Sequence, residues 1–456
     1  MAKIPEALLV DHLDRLRHGP ISQKTRERLA QALLDWYTAG WAAIGTPAAD
    51  NLRMLAQRCH GETGPAPVFG GCSLPSAGAA FANAGIAHLR EIDDAHRSAM
   101  LHPGIIAISP VMALAADIPL TQRQVADAII AGYEVSLRVG EALGTEHAAN
   151  FHATATAGAL GAAAASAVAL GLHGDSLHHT LGIAATQAAG LWQLVDDNAH
   201  ESKSLHPAMA VRNGLLAAYA AQAGFPGAQA FVTGRRGLYR LLHGDGPLAR
   251  LTDGFEAEER INSATIKAWP CCAQLFTPLD AIQTLMQAHG IHHSDIESVN
   301  IEIFPHALKI AGVVWPTKPA ETCFCLPYVA AMLLKNGQLR IHDMDSPQLE
   351  DATLLGLVRR ISVTPNDAFQ QHFPEKRPAR VTVTLRDGRQ FAEMRELRRG
   401  DPEQPYTFEA LEQRMRAFAP AMSDASATRI TAWCKQYADP QADRQICSPA
   451  PDLYMA

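Results

Sequence analysis

The chain has 456 residues, 48% of them hydrophobic and 19% charged, with a net charge of −7 from 39 basic and 46 acidic side chains. That length exceeds what one ordinary core holds, so two domains are expected, and the apolar content excludes a disordered or fibrous protein. An acidic balance with no long basic run excludes nucleic acid or an anionic membrane as the main partner, so an anionic ligand has to be drawn by a local basic pocket.

Met1 to Pro20 carries charges throughout and only a short apolar run, Ala7 to Val10, so it lacks a signal-peptide core and a cytoplasmic location is expected. From there to about residue 260, apolar residues recur at three- and four-residue spacing, as in Val125, Ile129, Ile130, Tyr133 and Leu137, which predicts helix after helix. Turn signals divide them at Gly144-Thr145, Gly171 to Asp175 and Gly224 to Gly227. The low-charge stretch Phe151 to Leu172 approaches membrane-spanning length. It is built of Ala, Gly, Thr and Ser rather than Leu, Ile and Phe, and so predicts a tightly packed buried helix.

After Trp269-Pro270 the texture changes. Val299, Ile301 and Ile303 alternate as in a strand, Val381, Val383 and Leu385 do so again before an Asp387-Gly388 turn, and Ile361 with Val363 suggests a third strand. Phe276 to His289 and Pro327 to Asn336 read as helices between them, and helical texture returns from Thr407 to about Tyr437. The expected architecture is mainly α: a large all-helical domain over 1–267, with 399–456 packing back on it, and a smaller α+β domain over 268–398. Cys59, Cys72, Cys271, Cys272, Cys323, Cys325, Cys434 and Cys447 form no CxxC pair and no zinc or iron-sulfur spacing, which predicts free, mostly buried thiols.

The densest chemical cluster is Glu91-Ile92-Asp93-Asp94-Ala95-His96-Arg97, followed by His102-Pro103-Gly104 ahead of a nearly uncharged helix. A Pro-Gly step leaves the His102 imidazole at a helix entrance, where backbone amides attract anions. The plainer alternative is a solvated loop with a helix cap, and a metal reading stays open because Asp and His are competent ligands, though no second ligand set is evident. His152 stands where the buried small-residue helix begins, either as a hydrogen-bonded core histidine or beside room for a ligand. Lys203 and His206 precede another Ala-rich helix, where cations are costly unless paired. Lys267 sits at the domain junction, where clefts commonly form, and Tyr328 is either a core tyrosine or a residue facing that cleft.

Two lysines, three histidines and a carboxylate cluster suit removal of a proton next to a carboxylate, which needs cations for the substrate and its enolate-like charge, plus a base and an acid. No P-loop, dinucleotide GxGxxG, GxSxG elbow or HExxH helix competes with that reading.

The same segments resemble the MmgE/PrpD family, which includes 2-methylcitrate dehydratases, cis-aconitate decarboxylases and iminodisuccinate epimerases. The resemblance is carried by Ala79 to Asn83, Asp93-Asp94 through His102-Pro103-Gly104, Phe151 to Gly158, Ser202 to His206, Ile266-Lys267 through Pro270-Cys271-Cys272, and Leu326 to Ala330. It implies a helical domain with a smaller α+β lid, a homodimer, and an interdomain cleft working with no cofactor and no metal on a small di- or tricarboxylate. It also implies that His102, His152, Lys203 and Lys267 are catalytic, with Asp93, Asp94, His206 and Tyr328 near the substrate. Two departures stand out. Glu91 and Ala95 fill the first and last places of a pattern that in relatives runs Asp, then Asp-Asp-Thr, and Ala273-Gln274-Leu275-Phe276 stands where relatives often carry Arg and His. That pattern is shared by decarboxylases and many dehydratases, so the missing threonine hydroxyl counts against a cis-aconitate decarboxylase and against a strict 2-methylcitrate dehydratase. The expected activity is a 2-methylcitrate dehydratase-like hydro-lyase, with an iminodisuccinate epimerase-like isomerase as alternative, then a decarboxylase or a non-catalytic carboxylate-binding protein.

Overall fold

The computed structural model describes residues 3–197 and 199–455, and the chain divides into two compact units. The first comprises 1–89, 93–264 and 407–456; the second comprises 90–92 and 265–406.

The first unit is built on helices α1 (Pro5–His18), α2 (Gln23–Ala43), α3 (Pro47–His60), α4 (Ser76–His88), α5 (Pro103–Ala115), α6 (Gln122–Asn150), α7 (Ala153–Ala169), α8 (Gly174–Ala185), the single turn α9 (Gln193–Asp196) and α10 (Leu205–Gln222). Hydroxyl caps start several of them: Ser22 accepts from the Thr25 amide and Thr46 from the Ala49 amide, while Thr121 and Gln124 form a reciprocal capping box. The predicted small-residue helix is α7, and every residue in it is buried. Its glycines let neighbours approach, since a Cβ on Gly161 would come within 2.6 Å of Ser136 Cβ on α6. From the other side, a Cβ on Gly214 of α10 would meet the Ala163 amide nitrogen at 2.6 Å.

The sequence predicts a break at Gly144-Thr145, and α6 is indeed two helices joined across a kink there, at its one non-helical residue, Gly144 with φ 77°. A Cβ there would meet Asp245 Oδ1 at 2.3 Å, so the glycine at the kink also serves a close approach. A three-residue hairpin, β1 (Ala66–Val68) with β2 (Cys72–Leu74), also interrupts the helical texture. Among the described residues no helix is long and apolar enough to cross a membrane.

The second unit holds a four-stranded sheet in the order β4 (Ile361–Pro365), β3 (Ile296–Ile303), β5 (Ala379–Leu385), β6 (Gln390–Arg395), with β3 and β4 parallel and the other pairs antiparallel. Val299, Ile301, Ile303, Val381, Val383 and Leu385 point to one buried core with the helices Phe276–His289 and Leu326–Asn336. The entry strand of this unit is clamped by a buried group. Arg398 makes paired hydrogen bonds to Asp401 and one to Thr265, and the Ile266 amide donates to the Gly400 carbonyl at 3.1 Å. Residues 265–267 therefore belong with the second unit rather than the helical one. The helices Phe408–Phe418 and Asp424–Lys435 return to the first unit, where buried Arg414 pairs with Asp35 on α2 at 2.8 Å. None of the eight cysteines is in a disulfide, and five of them are buried.

Candidate active site

In the first unit the helix entrances gather the chemistry. His102 is the residue before α5 and His152 the residue before α7; neither side chain caps its helix, so both rings are left for other partners. The two entrances are tied together where the His102 amide donates to Thr154 Oγ1 at 3.2 Å. His88, the last residue of α4, is the third member: its ring lies 4.7 Å from that of His102 and stacks 5.7 Å from that of His152.

Asp93 joins the first two histidines. Its Oδ2 is 2.9 Å from His88 Nδ1 and 3.1 Å from His102 Nδ1. A carboxylate only accepts, so both imidazoles present Nδ1–H to it and keep Nε2 for other work. For His102 the same tautomer is enforced twice, because Nδ1 is also 2.8 Å from the Asp94 carbonyl. Burial pushes the Asp93 carboxyl up, but the charges and hydrogen bonds of His102 and His88 outweigh it and hold the group well below the ordinary range.

Asp94 faces the other way. Its Oδ1 accepts the Gly104 amide at 2.8 Å and its Oδ2 accepts the Tyr133 hydroxyl at 2.7 Å. Burial, and then the charge of Asp35, push it up to about 7. The helix entrance predicted to attract an anion thus already binds one of the protein's own side chains.

On the opposite side, His152 Nδ1 is 3.0 Å from His206 Nδ1, so the pair shares one proton between two nitrogens. Burial first, then the positive charge of Lys203, hold His152 well below the usual histidine range, and the same causes hold His206 at about 4. Both are neutral near neutral pH. Trp192 covers the His152 ring at 4.6 Å. Lys203, largely buried, lies in a turn of tight helix, His200–Ser204, just before α10.

Lys267 and Tyr328 belong to the second unit. Buried Lys267 donates from Nζ to the Glu91 carbonyl at 2.7 Å and lies 3.3 Å from Glu91 Oε2. Glu91 adopts the left-handed conformation at φ 55°, uncommon for a residue with a side chain and costly unless the surroundings require it. The Tyr328 hydroxyl donates to the Asp343 carbonyl and its ring packs on Trp315, which fits the core-tyrosine alternative.

The structure thus gathers His102, His152, His206, Asp93 and Asp94 in one unit, with Lys203 close enough to bias two of the histidines, and adds His88, Tyr133 and Trp192, which sequence reasoning did not single out. Among the described residues, His88, His102 and His152 form a group with metal-binding reach: each offers one nitrogen, all within 4.8 Å of one another. That limit is wider than the roughly 3.4 Å that a tetrahedral zinc ion bonding each nitrogen at about 2.0–2.1 Å imposes.

Comparison with known proteins is consistent along the chain. The MmgE/PrpD N-terminal domain matches residues 8–250 and the MmgE/PrpD C-terminal domain residues 269–436. A cis-aconitate decarboxylase of Aspergillus terreus is 25% identical over 434 residues, covering 88% of this chain and 86% of that protein. The cis-aconitate decarboxylase-like protein oryM of Aspergillus oryzae is 24% identical over 457 residues, covering 92% and 91%, and the human cis-aconitate decarboxylase 23% over 431 residues, covering 89% and 86%.

Proposed function

Because the chain belongs to the MmgE/PrpD family, we propose that it is a cofactor-independent acid-base enzyme that takes a proton from the carbon next to a carboxylate of a small polycarboxylate. The supporting observation is the opposed electrostatics of two histidine pairs in one cluster. His152 and His206 are held neutral by burial and Lys203, whereas Asp93 keeps a negative charge against His88 and His102. Environments that drive like groups apart divide acid from base.

In this reading neutral His152 accepts the proton from carbon, passing charge through its Nδ1 contact to His206. His102, its imidazolium favoured by Asp93, donates from Nε2 to the departing hydroxyl, so that water leaves and a carbon-carbon double bond forms. The His102 and His152 ring centres are 6.2 Å apart, close enough for base and acid to reach one small substrate. Lys203 offsets the growing enolate charge. Asp93 and Asp94 support the histidines. Lys267 and Tyr328 join the proposal on the family resemblance alone, as do a homodimer and a cytoplasmic location.

Dehydration uses both a base and an acid, and so accounts for both histidine pairs; a 2-methylcitrate dehydratase-like hydro-lyase is the first choice. Decarboxylation of cis-aconitate is the second reading, favoured by the names of the relatives and opposed by Ala95, which has no hydroxyl to offer. Epimerisation of an iminodisuccinate-like substrate shares the first proton transfer.

The test is to dialyse the protein against chelator, mix it with 2-methylcitrate, citrate, cis-aconitate or iminodisuccinate in heavy water, and follow each by proton resonance. An unsaturated product without gas identifies the lyase and carbon dioxide the decarboxylase. Deuterium entering recovered substrate without an alkene identifies the epimerase. Binding of these acids with no turnover would reject the enzyme reading in favour of a carboxylate-binding protein.

A further inference from the structure

The Asp93 carboxylate is buried, yet among the described residues its Oδ1 makes no hydrogen bond, and its Oδ2 meets two imidazole nitrogens, those of His88 and His102. A carboxylate that is to support His102 has to be fixed by something other than His102. Among the described residues that anchor is His88. The residue is 2% exposed, and its ring is set at 68° to His102 and 26° to His152, so it packs against both histidines assigned as acid and base.

We propose that His88 is a positioning residue: by donating from Nδ1 to Asp93 Oδ2 it holds the carboxylate against His102, and through Asp93 it sets the direction in which His102 presents Nε2. The inference rests on the reading of His102 as the acid, and it adds a residue that touches no reacting atom. Its logic is geometric. An ionised carboxylate deprived of half its donors in a buried site turns toward whatever donor it can reach or takes up a proton, and in either case His102 loses a fixed partner. The Asp94 carbonyl, which His102 Nδ1 also reaches, is a neutral acceptor that fixes the tautomer without favouring the imidazolium.

The test needs no substrate. Imidazole N–H protons bonded to a carboxylate resonate far downfield and exchange slowly, and histidine labelled with nitrogen-15 isolates them; the His102 signal is assigned by its loss in His102→Gln. In the wild-type full chain two such resonances are expected, both lost in Asp93→Asn. His88→Leu should move or broaden the His102 resonance, whereas His88→Asn, whose amide nitrogen can occupy the place of Nδ1, should keep it near its wild-type position. A His102 resonance unmoved in His88→Leu overturns the proposal. So does its loss in a folded His88→Asn protein, and that variant decides the matter if the leucine protein does not fold. On whichever polycarboxylate the wild type turns over, kcat should fall on the order of 100-fold in His88→Leu with KM held within about twofold, and recover in part in His88→Asn. If no polycarboxylate is turned over, the functional reading fails while the resonances still decide the role of His88.

Discussion

Asp94 Oδ1 lies 2.8 Å from the Gly104 amide, in a space that a side chain on Gly104 would fill. A Cβ on Gly104 would stand 2.7 Å from that oxygen and 2.9 Å from the Tyr133 hydroxyl. The Pro-Gly step is thus less a bend than a socket: proline starts the helix, and glycine leaves room for the carboxylate whose own backbone carbonyl orients His102.

Gly104→Ala should therefore act on the site through Asp94. Crowding of this kind costs about 1–3 kcal/mol, read as a lower midpoint in urea with an unchanged slope. Turnover should fall with it, by more than the loss of folded protein explains. Tyr133→Phe makes the complementary cut. It removes the donor from a buried carboxylate oxygen and should also cost about 1–3 kcal/mol without any steric change. Wild-type stability and turnover in both variants would show that the Asp94 socket has no bearing on His102.

Buried Asp94 and half-buried His206 tilt stability in opposite directions over one acid range. His206 is held at about 4 against an ordinary 6.5, by burial and then by Lys203 and His88, so over that interval the unfolded chain binds a proton that the folded chain refuses. Its contribution is lost as pH falls from 6.5 toward 4. Asp94 is pushed from 3.8 up to about 7, so the folded chain keeps a proton that the unfolded chain releases, and its contribution is lost as pH rises through that interval. Relative to wild type, Asp94→Asn should lose melting temperature more steeply on acidification and His206→Gln less steeply. Three parallel curves would contradict the assignment of either group.

Much of this arrangement was legible in the sequence where local chemistry and local structure coincide. His102 precedes Pro-Gly and His152 precedes an uncharged small-residue run, and each pattern marks a helix start, so both imidazoles could be put at entrances before any coordinates. His88 was not legible. A histidine closing an apolar helix reads equally well as a core residue or as a partner of the helix dipole, and only the fold brings it to Asp93. Tyr133 was visible only as one more apolar position on α6, because helical periodicity cannot say which of its neighbours ends in a hydroxyl that finds a carboxylate. The strand β6 escaped for a related reason: as an edge strand it alternates between exposed and half-buried residues, and has no buried face to give a period. Gly144 marked its kink legibly, but a glycine signals an unusual backbone angle without saying which close contact also requires it.

Self-association has a specific place to be tested. Met209, Leu216 and Tyr219 follow one another along one face of α10 with 37%, 61% and 36% exposure. If the proposed homodimer uses this face, Leu216→Arg should halve the mass seen by light scattering at micromolar concentration, and leave the helical circular dichroism unchanged. A wild-type protein that is monomeric under the same conditions removes the dimer from the proposal.

The lysines allow a chemical role to be separated from a structural one. Methionine keeps most of the lysine stem and removes the charge, so Lys203→Met should fold and lose on the order of 100-fold in turnover if that charge offsets an enolate. Lys267 needs a further control, because its ammonium is buried against Glu91 at 3.3 Å, and Lys267→Met leaves that carboxylate without its cation. The single substitution should therefore cost both stability, about 1–3 kcal/mol, and turnover. Adding Glu91→Gln neutralises the abandoned carboxylate while keeping a side chain of the same length. The double variant should recover the melting temperature and stay inactive if Lys267 acts on substrate. Recovery of stability and turnover together would make Lys267 a partner of Glu91 and nothing more, and the search for the second substrate cation would have to begin elsewhere.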